Sequence, residues 1–153
     1  DWLTLDFPAG QTEEREPPAA MLSALGIDSY LHARKGRAWL IELASRDRVE
    51  ALRPNIAAMT PGEHKVTVTA AGSGEYDFVS RFFSPGEAVW EDPVTGSAHT
   101  MLIPYWSAKL GKTHLLARQV SARGGDIRCQ LKGERVLMSG QAVTYLNGVI
   151  TLR

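Results

Sequence analysis

Apolar and polar residues alternate in short runs along most of this chain, and only one stretch is apolar on nearly every face. Period-two runs read as half-buried strands. Trp2, Leu3, Leu5 and Phe7 suggest a first strand, Gly10 to Pro17 a solvated loop, and Pro18 to Leu25 a short helix closed by Gly26. Lys35-Gly36 turns a strand over Ser29 to Ala33 into another over Ala38 to Leu43. Val49, Leu52, Ile56 and Met59 have helical spacing, but Pro54 divides them into two short helices. His64 to Ala70 and Tyr76 to Phe83 alternate as strands around Gly72-Ser73-Gly74, leaving Ser84 to Thr95 as a loop.

The exceptional stretch is Gly96 to Leu110, where Ala98, Met101, Leu102, Ile103, Tyr105, Trp106, Ala108 and Leu110 leave no polar face. A helix apolar all round is buried all round, and Pro104 should bend it. Five strands are predicted beyond it: Leu115 to Arg123, Asp126 to Leu131, Arg135 to Met138, Gln141 to Leu146 and Val149 to Leu152. Glycine turns and the Asn147-Gly148 hairpin signal join them into an antiparallel meander. The class is α+β, without the G-x-G-x-x-G of a dinucleotide-binding sheet.

Composition narrows the partners. At 153 residues with 44% hydrophobic residues the chain has the size and apolar content of one domain. The 17 basic and 17 acidic residues are interspersed, so no basic stripe for nucleic acid or a membrane surface is present. No run approaches the roughly eighteen apolar residues of a span, and neither a signal peptide nor a second cysteine accompanies Cys129. A cytoplasmic setting follows, with Cys129 as a small buried hydrophobe. Histidines 32, 64, 99 and 114 lack metal-ligand spacing, and no metal site is predicted.

Candidate chemistry lies in Glu91-Asp92-Pro93-Val94-Thr95-Gly96-Ser97-Ala98-His99, directly ahead of the apolar helix. The free N–H groups and positive dipole of a first helical turn attract a carboxylate or phosphate. Gly96 admits a ligand to the backbone, Ser97 adds a hydroxyl, and Asp92 can orient a polar group or move a proton. Taken alone, the motif reads more simply as a cap, with Asp92, Thr95 or Ser97 closing the helix start. His99, on the first turn, should be neutral and structural. Arg81 and Arg123 are expected in ordinary ion pairs.

Longer motifs carry a resemblance. Tyr76-Asp77-Phe78-Val79-Ser80-Arg81-Phe82-Phe83-Ser84-Pro85, the Glu91 to His99 stretch, Gly111-Lys112, Gln119 to Gly125 and the opening Leu5-Asp6-Phe7-Pro8-Ala9 resemble, in this order, the PhzF-like (phenazine biosynthesis protein F) family. The resemblance implies cofactor-independent isomerase chemistry on the diaminopimelate epimerase fold, two similar α+β halves facing each other across a cleft. In each, a curved, mostly antiparallel sheet surrounds a central helix. It makes Asp92 the active-site aspartate, and Gly96 and Ser97 the pair that binds a small carboxylate substrate.

The family's principal general acid/base, a glutamate of the N-terminal half, and that half's Gly-His motif have no counterpart here. Residues 1–153 are therefore expected to form one domain equivalent to the second half, a piece of a longer protein or the product of a gene for that half alone. Two functions follow. In one, proton transfer beside a carboxylate-bearing carbon uses Asp92, Gly96 and Ser97, with the other half supplying the glutamate. In the other, the chain is a non-catalytic carboxylate-binding or homodimer-assembly module.

Overall fold

Alternating segments become strands and the apolar segment becomes a helix in the computed structural model, which describes residues 2–151. In chain order the elements are β1 (Trp2–Pro8), β2 (Glu13–Glu14), α1 (Ala19–Leu25), β3 (His32–Lys35), β4 (Trp39–Glu42) and α2 (Arg46–Ala51), then a 3₁₀ turn at Ile56–Ala58. There follow β5 (Val66–Ala71), β6 (Phe78–Phe83), β7 (Glu91–Asp92), α3 (Gly96–Leu110), β8 (His114–Gln119), β9 (Gly125–Lys132) and β10 (Arg135–Gln141). The strands form one mixed, mostly antiparallel sheet in the order β1-β10-β9-β8-β6-β5-β4-β3-β2, with β7 paired to β6.

Two parallel pairs organise the layers. β4 runs parallel to β5 and β6 parallel to β8, and parallel neighbours need a crossover through the layer above or below the sheet. The first crossover carries α2 and the second carries α3, on opposite faces. Alternation along the central strands serves both layers. Trp39, Ile41, Val79 and Phe83 join α1 and α2 in one core, while Leu40, Phe78 and Phe82 join α3 in the other. Between Ala98 and Ser107 no residue of α3 is exposed, as its all-round apolar pattern requires. Trp106 stacks on Phe78 at 5.7 Å and donates its indole N–H to Thr69 Oγ1 at 3.0 Å. The helix continues through Pro104 to Gly111, whose φ of 68° closes it in a left-handed turn.

Several expectations need correction. Glu13–Glu14 adds a short strand inside the predicted loop, and β3 begins three residues later than the alternation suggests. The first strand of the meander ends at Gln119 rather than Arg123, because Ser121 leaves the ladder to bond elsewhere. The larger change concerns the last ten described residues. Gln141 to Leu146 and Val149 to Thr151 do not form the predicted hairpin, Tyr145 and Val149 being 98% and 96% exposed, and Leu152 lies outside the described residues. The cause is topological: β10 already lies between β9 and β1, leaving no free edge of β10 for a further strand. A two-stranded hairpin alone is marginal in water.

Candidate active site

The loop after β6 folds back at Ser84, whose N–H donates to the Trp90 carbonyl at 2.8 Å, so that β7 pairs with the end of the strand it has just left. Glu91 is anchored there by a bidentate pair, Arg81 Nε to Oε1 at 2.7 Å and Nη2 to Oε2 at 3.0 Å. The remaining nitrogen of Arg81 donates to the carbonyls of Val49 and Leu52 at the end of α2. Arg81 and Glu91 are largely buried, so the residue beside Glu91, Asp92, is delivered from a fixed point.

From Asp92 to α3 the backbone is held by β8 and the turn after it. Gln119 is fully buried and uses both ends of its amide. Its Oε1 accepts the Thr95 N–H at 2.9 Å, and its Nε2 donates to the Asp92 carbonyl at 2.5 Å and to Thr95 Oγ1 at 3.1 Å. Thr95 Oγ1 in turn donates to Asp92 Oδ2 at 2.9 Å. Ser121 Oγ donates to the Pro93 carbonyl at 2.8 Å. A Cβ at Gly125 would fall 2.3 Å from Val94 Cγ2, and the β-branched side chain of Val94 has little room to yield, so the turn docks only against glycine. Replacing Gln119 with leucine leaves the buried Thr95 N–H without an acceptor and is expected to cost about 2 kcal/mol, measured by urea unfolding.

Thr95 is the N-cap residue by position, but no side chain caps α3, since the Thr95 hydroxyl is spent on Asp92. The capping reading of the motif is thereby set aside. Asp92 and Ser97 share a pocket of about 400 Å³ with Thr95, Met101, Phe82, Arg37 and Lys65. Lys65 pairs with Glu87 at 2.9 Å, whereas Arg37 makes no ion pair among the described residues. Gly96 lines a second cavity, of about 600 Å³, on the side of the helix that bears His99. The three residues singled out by the sequence thus surround one helix start and divide between two cavities.

His99 is fully buried beneath that start, its Nδ1 2.7 Å from the Thr95 carbonyl. Burial, more than the hydrogen bond offsets, pushes its pKa down to about 4 and keeps the imidazole neutral. Burial also pushes the Cys129 thiol up to about 12, which leaves it inert. Arg123, expected in an ion pair, makes none among the described residues and lines the second cavity. Sequence reading missed Gln119 as a brace. Its signal was a polar residue in the core-facing register of Leu115 and Ala117.

Among the described residues no group of three or more His, Cys, Asp or Glu is placed to hold a metal ion, and no helix is long and apolar enough to cross a membrane. Residues 8–148 match the family described as phenazine biosynthesis-like protein, PhzC-PhzF. An uncharacterised isomerase of Pseudomonas aeruginosa is 42% identical over 152 residues, covering 99% of this chain and 58% of the relative. One of Halalkalibacterium halodurans is 41% identical over 155 residues, with 99% and 58% covered. The crystal structure of a PhzF-family phenazine biosynthesis protein of Enterococcus faecalis superimposes with a TM-score of 0.87 at 38% identity, over 99% of this chain and 58% of that one. The chain therefore spans well under two thirds of the length of these relatives, and it belongs to the PhzC-PhzF family of phenazine biosynthesis-like proteins.

Proposed function

We propose that this chain supplies half of the active site of a cofactor-independent isomerase or epimerase that moves a proton beside the carboxylate of a small substrate. The observation that carries the reading is the shared pocket of Asp92 and Ser97 at the uncapped start of α3. Uncapped first-turn N–H groups and the Ser97 hydroxyl suit a carboxylate, with Arg37 adding positive charge at the same pocket. Asp92, held by Thr95, then hydrogen-bonds an amine or hydroxyl of the substrate and shapes the proton path. The principal acid/base comes from the other half.

In this reading residues 1–153 form one domain, half of a diaminopimelate epimerase-like fold whose curved sheet wraps α3. Support comes from the spread of strands that share the helix's core, from β4 to β10, and from the Gly10 N–H, which donates to the Thr100 carbonyl on the helix at 2.9 Å. A cytoplasmic setting suits the lone buried thiol. In a full-length protein that carries this half, Asp92→Asn and Ser97→Ala are each expected to slow deuterium uptake from solvent into small amino or hydroxy acids by about a hundredfold. Unchanged uptake overturns the reading.

A second reading, a non-catalytic homodimer module, is favoured by β1, where Leu3, Leu5 and Phe7 extend the apolar face beyond α3 and remain 60%, 58% and 42% exposed. Light scattering separates the two: a dimer of the 16.8 kDa chain supports assembly, and a monomer at high concentration opposes it.

A further inference from the structure

Asn55 and Asn147 are the asparagines of this chain, and they stand in opposite settings. The backbone nitrogen that follows an asparagine attacks its side chain only where that amide can lose its proton and swing toward Cγ. A backbone free to rotate permits this, and a next residue without a Cβ leaves the approach open. Asn147 is followed by Gly148, both exposed and outside every helix and strand. Neither takes part in a turn or loop hydrogen bond among the described residues. Tyr145, Leu146, Val149 and Ile150 around them are exposed as well. Asn55, by contrast, is followed by the β-branched Ile56, which opens the 3₁₀ turn. Its N–H donates to the Ala24 carbonyl at 2.7 Å and its carbonyl accepts the Ala58 N–H at 3.1 Å, so its backbone is fixed.

We propose that Asn147 is a modification site, where deamidation and isomerisation proceed in water without an enzyme. The Gly148 nitrogen gives its proton to solvent base and attacks Asn147 Cγ. A nitrogen–carbon bond forms, the Cγ–Nδ2 bond breaks, and Nδ2 leaves as ammonia with a proton from solvent, so that a cyclic imide remains. Water opens the imide at Cγ to give aspartate, or at the backbone carbonyl to give isoaspartate, in which the chain runs through the side chain. Water is consumed, ammonia is released, and nothing is oxidised or reduced. Both products place a carboxylate inside the run from Val143 to Ile150, whose alternation suits strand pairing. Aspartate before glycine still fits a tight hairpin, whereas isoaspartate lengthens the backbone by a methylene and shifts the two arms out of register. The step is a one-way timer on the strand-forming capacity of this segment.

The test incubates the full chain at neutral pH in water enriched in heavy oxygen, then follows its tryptic peptides by mass spectrometry. The peptide from Val136 to Arg153, which contains Asn147, is expected to exchange an NH group for one heavy oxygen and to split into aspartate and isoaspartate forms. The peptide carrying Asn55 should stay unchanged over the same time. A synthetic peptide with the sequence of residues 136–153 sets the intrinsic rate, and the folded chain should match it. Gly148→Val should suppress the reaction, since a branched Cβ crowds the attacking nitrogen. Both asparagines reacting at one rate, or a Gly148→Val chain as fast as the wild type, overturns the proposal. So does a folded chain about tenfold slower than the synthetic peptide, which would mean that the segment is held closed. Gly148 lies outside the packed elements, so folding of the variant is not at stake.

Discussion

Replacing Arg81 with methionine is expected to lower the unfolding free energy by about 3–5 kcal/mol, the usual consequence of removing one partner of a buried ion pair. Glu91 would keep its charge in a largely buried place without the bidentate guanidinium. The Val49 and Leu52 carbonyls at the end of α2 would lose their donor as well. Methionine keeps the apolar stem of arginine but not the guanidinium that faces Phe83 at 4.9 Å, so the loss combines the charge network with that contact. Urea unfolding of Arg81→Met beside the double variant Arg81→Met/Glu91→Gln separates the contributions. The double variant should recover part of the stability, because the stranded carboxylate is gone. A loss below about 1 kcal/mol in the single variant would mean that water reaches Glu91 and that β7 is not anchored as described.

That network shows where sequence reading reaches its limit. The apolar run of α3, the glycine that ends it, the split helices around Pro54 and the β8 to β10 meander are local patterns, and each is legible because neighbours in sequence make the contacts. The two parallel pairs and the assignment of helices to opposite faces depend on which strands meet, which local alternation does not encode. The missing C-terminal hairpin is the sharpest case. Asn147-Gly148 is a good turn signal, but the edge of β10 is taken by a strand whose pairing joins Trp2 to Gln141, across almost the whole chain. In the site, Asp92, Gly96 and Ser97 stand close in sequence and were readable as a motif, together with the family resemblance. Gln119 was not readable as their brace, because it lies 24 residues from Thr95 and acts on backbone atoms. Nor does the motif say that its members divide between two cavities. That depends on the walls, which Arg37, Lys65, Leu3 and Met138 bring from distant strands and turns.

Acidification should weaken this fold through His99. Its pKa is about 4 in the folded chain against an ordinary value of 6.5, and burial is the cause. As pH falls below about 6.5 the unfolded chain takes up a proton that the folded chain refuses until about 4. Over that window the unfolded state binds more protons, so stability falls with pH, and below it the loss levels off. At about 1.4 kcal/mol for each pH unit of the interval, the loss approaches 3 kcal/mol. Carboxylates titrate in the same range, so the prediction concerns a difference between two proteins. In His99→Gln the side chain cannot charge, and its amide retains a donor for the Thr95 carbonyl. Urea unfolding at pH 7, 5.5 and 4 should show the wild type losing about 3 kcal/mol more than the variant. The consequence reaches the site, since the imidazole lies against the residue from which α3 starts. Charge placed there opposes the positive end of the helix dipole and loosens the turn that carries Gly96 and Ser97. Parallel stability curves for the two proteins would show that His99 stays protonated or wet in the folded state, and would remove the neutral imidazole from the account of both cavities.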